Sequence, residues 1–182
     1  MDLVLRDSSR YEDNGMSTES QMYISTIEAR DIPEAWFLCL RSVLEAGYEY
    51  TVDRGSFEGQ QRKELDLVVV QIRQPGIRPL VPDVPTGISP PTTIEYVESY
   101  LPYLMSSCKA ENEDYTYGED IEPQIPEIIR MYKESGFNTN QAFIAIGSRD
   151  SIHLTDPPCL RGIHTRVRDG KLHFIVYFTS WD

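Results

Sequence analysis

The chain has 182 residues, the size of one domain, and with 40% hydrophobic and 25% charged residues it can build a packed core and is not a wholly disordered polymer. With 17 Lys and Arg against 29 Asp and Glu the net charge is −12, which disfavours broad binding to nucleic acid or anionic membranes but leaves room for one basic pocket. No apolar run approaches the ~20 residues of a bilayer span, and the N-terminus lacks a signal-peptide core. Three cysteines, Cys39, Cys108 and Cys159, form neither a disulfide framework nor a metal site, so a reducing, cytoplasmic setting is expected.

Residues 1–21 are polar without a sustained period and are expected to be a mobile tail, or an artefact of the gene start. Residues 22–182 are expected to form the folded domain. MYISTIEA (22–29) reads as a strand. Asp31 reads as an N-cap, with Pro33 in the first turn and Glu34 in capping-box position. Trp36, Phe37, Leu40, Val43 and Leu44 recur at helical spacing, and Gly47 ends that helix. Cys39 falls inside it as a small core hydrophobe.

Residues 51–64 read as a polar, Gly-containing loop. LDLVVVQI (65–72) is continuously apolar and rich in β-branched residues, the pattern of a buried strand. Prolines at 75, 79, 82, 85, 90 and 91 exclude regular helix or central strand and predict a long surface excursion. A helix over roughly 92–107 contains Pro102, so a kink or early stop is expected. Residues 111–134 hold eight acids and two bases, half of the net charge. Their second half reads as a helix started by Pro123 and Pro126 and closed by Gly136.

QAFIAIG (141–147) reads as a strand. In 159–180, two β-rich runs flank Asp169-Gly170, a favoured pair for a tight hairpin turn. Arg161, Arg166, Arg168 and Lys171 make this hairpin a basic ribbon in an acidic chain. The element order predicts an α+β fold, with helices packed on one face of a mixed or mostly antiparallel sheet.

The chemistry-bearing residues cluster near that hairpin. Pro157 and Pro158 fix the backbone before Cys159. Strand alternation puts Arg161 on the face of Cys159, where a guanidinium favours the nucleophilic thiolate. The residues alone leave two readings open, a nucleophile or a buried structural thiol. His153, His164 and His173 have no metal-ligand spacing, and no Cys–His pairing is visible. Arg54-Gly55-Ser56, with Arg62-Lys63, is a basic loop cluster that suits a phosphate clamp or simply a solvated surface.

DPPCLRGIHTRVRDGKLHFIVYFTSWD resembles the catalytic segment of the thymidylate synthase and pyrimidine-nucleotide hydroxymethylase superfamily, in its archaeal-type branch. AWFLCLRSVLEAG, VDRGSF, YTYGEDI and FNTNQAFIAIG resemble, in order, its first helix, first arginine loop, tyrosine-glycine segment and the strand before the cysteine loop. The resemblance implies a thymidylate-synthase-like α+β fold and a homodimer packed sheet to sheet. It also implies transfer of a one-carbon unit from 5,10-methylenetetrahydrofolate to C5 of dUMP, through addition of Cys159 to C6. Hydroxymethylation of a pyrimidine nucleotide shares the covalent step and stays open, as does a non-catalytic nucleotide-binding homologue.

By the same resemblance Tyr117 is an active-site tyrosine, and Asp182 faces pterin and pyrimidine. Glu98 or Glu95 is the helix carboxylate that orders water at the base. Arg54, Ser180 and Arg161 are the residues expected to hold the substrate and its phosphate. The chain departs from the family at Thr179, where an arginine is expected, and at Asn140-Gln141, where many members carry an arginine pair. It stops at Asp182 while family members continue, so a C-terminally incomplete enzyme with little turnover on its own is expected.

Overall fold

The computed structural model describes residues 22–109, 111 and 113–180, so the expected tail at 1–21 and Asp182 lie outside the described residues. The fold is α+β. Strand β1 (Ile24–Ala29) leads into helix α1 (Ile32–Ala46), and strands β2 (Tyr48–Thr51) and β3 (Gln61–Glu64) form a hairpin. Strand β4 (Leu67–Ile72) returns beside β1 in parallel, Ile24 opposite Leu67 and Ala29 opposite Ile72. Helices α2 (Ile94–Met105) and α3 (Tyr117–Ser135) precede strands β5 (Phe143–Ala145), β6 (Leu160–Arg168) and β7 (Lys171–Phe178), which form an antiparallel sheet in the order β5-β6-β7.

Helix α1 starts where its cap residues demand. Asp31 Oδ1 accepts the Glu34 N–H at 3.0 Å, a contact typically contributing about 1 kcal/mol. The reciprocal arm goes one residue further back, because Glu34 Oε2 accepts from the Arg30 N–H at 2.6 Å. Gly47 closes the helix at a negative φ of −70°. Its small size matters instead, because a Cβ there would lie 2.6 Å from the Val43 carbonyl oxygen.

The expected 51–64 loop is corrected in its second half, which forms β3. Polar cross-strand contacts hold this hairpin: the Tyr50 hydroxyl donates to Glu64 at 2.7 Å, and Gln61 Nε2 donates to Thr51 Oγ1 at 2.6 Å. The expected burial of 65–72 is corrected too. Ser25, Ile27, Ala29, Val68, Val70 and Ile72 form the more buried face of the β1–β4 pair, and Leu67 and Val69 stay 46% and 56% exposed. The proline-rich stretch carries no helix or strand before Ile94, as its composition requires.

Helix α2 runs on through Pro102 to Met105 rather than stopping early. Helix α3 begins at Tyr117, six residues before the first proline expected to start it. Thr116 and Glu119 form a reciprocal capping box there, and Pro123 and Pro126 sit in the helix interior. The two helices are clasped end to end. Thr116 Oγ1 donates to the Ser106 carbonyl, and the Ser107 N–H and hydroxyl both donate to Glu122. Gly118 permits the approach, since a Cβ would fall 1.9 Å from the Ser106 oxygen.

The core lies between these helices and the three-stranded sheet. Tyr117, Ile121, Ile144, Ile146 and Leu160 are buried together, with Tyr103, Leu104, Ile125, Ile128 and Ile163 packed around them. The hairpin turn takes the expected form, Asp169 and Gly170 both at positive φ (51° and 71°). A bulge between Leu160 and Gly162 breaks the alternation used to place Arg161 on the face of Cys159.

Candidate active site

Cys159 sits between buried Pro158 and buried Leu160 and is itself half-buried. Its carbonyl oxygen accepts from the Thr179 N–H at 2.9 Å and from the Thr179 hydroxyl at 3.4 Å. Its sulfur accepts from the Ser180 hydroxyl at 3.0 Å. The start of β6 and the end of β7 thus hold the thiol from across the hairpin, and Ser180 and Cys159 come together as a pair. Thr179, the departure from the family pattern, is a backbone anchor for the cysteine.

The segment leading to Cys159 is docked from a distant part of the chain. Residues Arg149–His153 form a short 3-10 turn capped by Ser148. Arg54 Nη2 donates to the carbonyl oxygens of Ile152 and Leu154 at 3.3 and 3.1 Å. The Ser56 N–H donates to Asp156 Oδ1 at 3.2 Å, and its hydroxyl donates to Asp156 Oδ2. These bonds, the hydroxyl's first, hold the Asp156 carboxyl below its ordinary range. Gly55, at φ +96°, lets the arginine loop turn against this segment.

Helix α3 anchors the other side. Asp120 accepts from the Gly147 N–H at 2.7 Å, and the Gln124 amide both donates to and accepts from the backbone of Ala145. Arg161 reaches back over this point: a Cβ on Gly147 would meet its Nη1 at 3.0 Å and Ser151 Oγ at the same distance. Gly147 has φ +72°, so glycine is required there twice over.

Tyrosines line the α2 side. Tyr96 and Tyr100 are stacked at 6.0 Å and 26°, Tyr100 and Tyr103 lie 5.1 Å apart, and Tyr117 meets Tyr103 edge-on at 5.2 Å and Tyr115 at 5.5 Å. The Tyr103 hydroxyl donates to the Tyr115 carbonyl at 3.1 Å. Burial, reinforced by Tyr117, Tyr103, Tyr96 and Cys159, pushes the Tyr100 phenol up to about 12. Burial and the Tyr117 hydroxyl also raise the Tyr115 phenol, so both stay protonated donors at neutral pH.

Of the residues marked from sequence, the structure brings Ser180 onto Cys159, Arg54 onto the loop before it, and Tyr117 against Tyr103 and Tyr115. It does not bring Glu98 there. Glu98 is exposed, two residues from both Tyr96 and Tyr100, and helical geometry puts it on the opposite side of α2. Glu95 is held in the first turn of α2, its carboxyl lowered by its own backbone N–H and by Thr93. Asn140 and Gln141 are exposed ahead of β5. Sequence reasoning passed over Tyr96, Tyr100, Tyr103, Ser56 and Asp156. The i, i+4, i+7 spacing of the three tyrosines was a visible signal for one helix face.

Among the described residues no three His, Cys, Asp or Glu side chains group to hold a metal ion, and no helix is long and apolar enough to cross a membrane. A groove of about 520 Å³ between the start of α1 and residues 77–83 shares no residue with the thiol site.

The chain is 28% identical over 162 residues to a Methanosarcina acetivorans protein named "Putative thymidylate synthase". Proteins of the same name from Methanosarcina mazei and Methanosarcina barkeri are 26% and 24% identical, over 162 and 165 residues. Each alignment covers 86% of this chain and 70% of the relative. No family model and no solved structure matches the chain.

Proposed function

We propose that the chain is a thymidylate-synthase-like transferase that moves a one-carbon unit from methylenetetrahydrofolate to C5 of dUMP. The observation that carries this reading is the half-buried sulfur of Cys159, held by Ser180 and approached by the Arg54 loop. In this reading Cys159 Sγ bonds to C6 of the pyrimidine, and the C5–C6 π pair moves toward C5 and the ring carbonyl. C5, now nucleophilic, bonds to the donor's methylene as the N10–carbon bond breaks and N10 takes a proton; C5 later loses its proton, and that electron pair expels N5 of the donor. The C6–sulfur bond then breaks and returns the thiolate.

The folate supplies the carbon and, for a methyl product, the hydride. Exposed Tyr96 and Tyr100 give a flat aromatic face on α2, the kind of surface a pterin or benzoyl ring needs. Arg54 uses only Nη2 on carbonyls among the described residues, so its other N–H groups are available to a phosphate. Arg161 completes that role; the Ser180 hydroxyl, whose one proton goes to Cys159 Sγ, would join it only by turning from the sulfur. Binding the phosphate supplies remote energy that holds C6 against sulfur. The same reading makes the molecule a homodimer. The sheet face carrying Phe143, Ile175 and Tyr177 is exposed, and buried His164 Nε2 on it has no partner among the described residues.

Incubation with 5-fluoro-dUMP and methylenetetrahydrofolate, followed by intact mass and peptide mapping, tests the reading. A ternary adduct on Cys159 is expected. Adduct formation only with a 5-fluoro cytidylate would redirect the assignment to cytosine, and absence of any adduct would remove it.

A further inference from the structure

The loop before Cys159 is gripped by residues far from it in sequence. Arg54 Nη2 donates to the carbonyl oxygens of Ile152 and Leu154, and Ser56 gives both its N–H and its hydroxyl to the Asp156 carboxylate. Ser56 and Asp156 are 100 positions apart. The approach between the two loops is close: a Cβ on Gly55 would stand 3.3 Å from Asp156 Oδ1 and 3.4 Å from the Thr155 carbonyl oxygen. From Asp156 the chain passes only through Pro157 and Pro158 before it reaches Cys159. Each proline fixes its own φ and pushes the residue before it to extended geometry, so this stretch has little freedom to bend. Pro158 is buried, and the cysteine itself is held from β7 by Thr179 and Ser180. The bonds from Ser56 therefore end on a stiff arm that carries the sulfur.

We propose that Asp156 is a positioning residue: tied to Ser56, it fixes the spacing between the arginine loop that takes the phosphate and the sulfur that attacks the ring. The proposal rests on the reading of Cys159 as the group that adds to C6 and of Arg54 as a phosphate ligand. A nucleotide has a set length, and this site grips one end of it and attacks the other. Binding energy gained at the phosphate reaches the reacting carbon only if the two protein anchors keep their separation. With the tie cut, the arginine loop still binds phosphate but shifts against the thiol, and the ring spends less time in line with sulfur. Asp156 acts through its neighbours, since both of its oxygens accept from Ser56.

The test compares wild type with Asp156→Ala, Ser56→Ala, the double variant and Ser56→Thr. The readouts are the maximal rate of adduct formation with 5-fluoro-dUMP and methylenetetrahydrofolate, the nucleotide concentration that gives half that rate, and the rate of Cys159 alkylation by iodoacetamide without nucleotide. Asp156→Ala is expected to lower the maximal adduct rate about tenfold and Ser56→Ala several-fold, with the half-saturating concentration and the alkylation rate close to wild type. The double variant should be no slower than Asp156→Ala, because both changes cut one tie. Ser56→Thr keeps the hydroxyl and should restore most of the rate. Ser56→Ala keeps the carboxylate and the backbone bond, and carries the test if Asp156→Ala does not fold. A wild-type maximal rate in Ser56→Ala and in any folded Asp156→Ala overturns the role of Asp156, and so does an alkylation rate that falls in step with the adduct rate. Either result leaves the wild-type adduct, and with it Cys159, standing. No adduct in wild type overturns both readings.

Discussion

The hydroxyl of Ser180 donates to the sulfur of Cys159 across 3.0 Å, joining the two ends of the β6–β7 ribbon. The bond is made to the atom that would attack, so its loss should be visible in the thiol's reactivity. Ser180→Ala is expected to slow iodoacetamide alkylation of Cys159 about tenfold at neutral pH, and Ser180→Thr to restore most of it. Measuring this without nucleotide isolates the sulfur contact from any phosphate contact. Equal rates in wild type and Ser180→Ala would show that the bond does not act on the sulfur.

The bond pair from Ser56 to Asp156 predicts an acid-sensitive dock. The Asp156 carboxyl is depressed in the folded chain, so its stabilising contribution is present above the ordinary carboxylate range. It is lost as pH falls through the lowered folded value. Protease cleavage within residues 53–57 should therefore rise as pH drops toward that value. Asp156→Asn should show the raised cleavage already at neutral pH, with little further change on acidification. Flat cleavage across that range in wild type would count against the dock.

Gly118 predicts a severe defect from one methyl group. Its added Cβ would meet backbone, the Ser106 carbonyl, at 1.9 Å, and no flexible side chain can yield there. Overpacking typically costs 1–3 kcal/mol, and Gly118→Ala is expected at or above about 3 kcal/mol in urea unfolding. Gly59→Ala meets no atom within 4 Å, although its φ of +84° adds backbone strain. It should cost about 1 kcal/mol.

The exposed outer face of the three-stranded sheet predicts self-association. Sedimentation should find a dimer, and Ile175→Lys, which sets a charge in the middle of that face, should shift it toward monomer without unfolding it. A wild-type chain that stays monomeric at tens of micromolar would remove the sheet-to-sheet proposal.

The elements most legible in the sequence were those fixed by local chemistry. Asp169-Gly170 demands a tight turn, and Asp31 with Glu34 demands a helix start, so β6–β7 and α1 were readable directly. Strand β3 was not, because Gln61-Arg62-Lys63-Glu64 carries no apolar alternation and pairs through polar side chains on β2. The start of α3 was misplaced because its prolines outweighed the Thr116–Glu119 box, though the box is what caps the helix. At the site, Cys159 and Arg54 were marked from the residues themselves, and Tyr117 and Ser180 from the resemblance. The Ser56–Asp156 bond joins residues 100 positions apart, and nothing local in either segment announces it. Tyr96, Tyr100 and Tyr103 were in view, but a helical stripe alone does not say what it faces.

The extra residue at Arg161 shifts the in-and-out phase of β6 by one position. On the core side of the bulge Leu160 lies with Ile163, although they are three positions apart and a regular strand would turn them to opposite sides. The sulfur-bearing end of the ribbon is thereby in counter-phase to the end that packs on α3. A chain lacking Arg161 would keep every pairing, Leu160 opposite Phe178 included, and leave Leu160 in the core; what it would lose is the guanidinium that reaches back to Gly147.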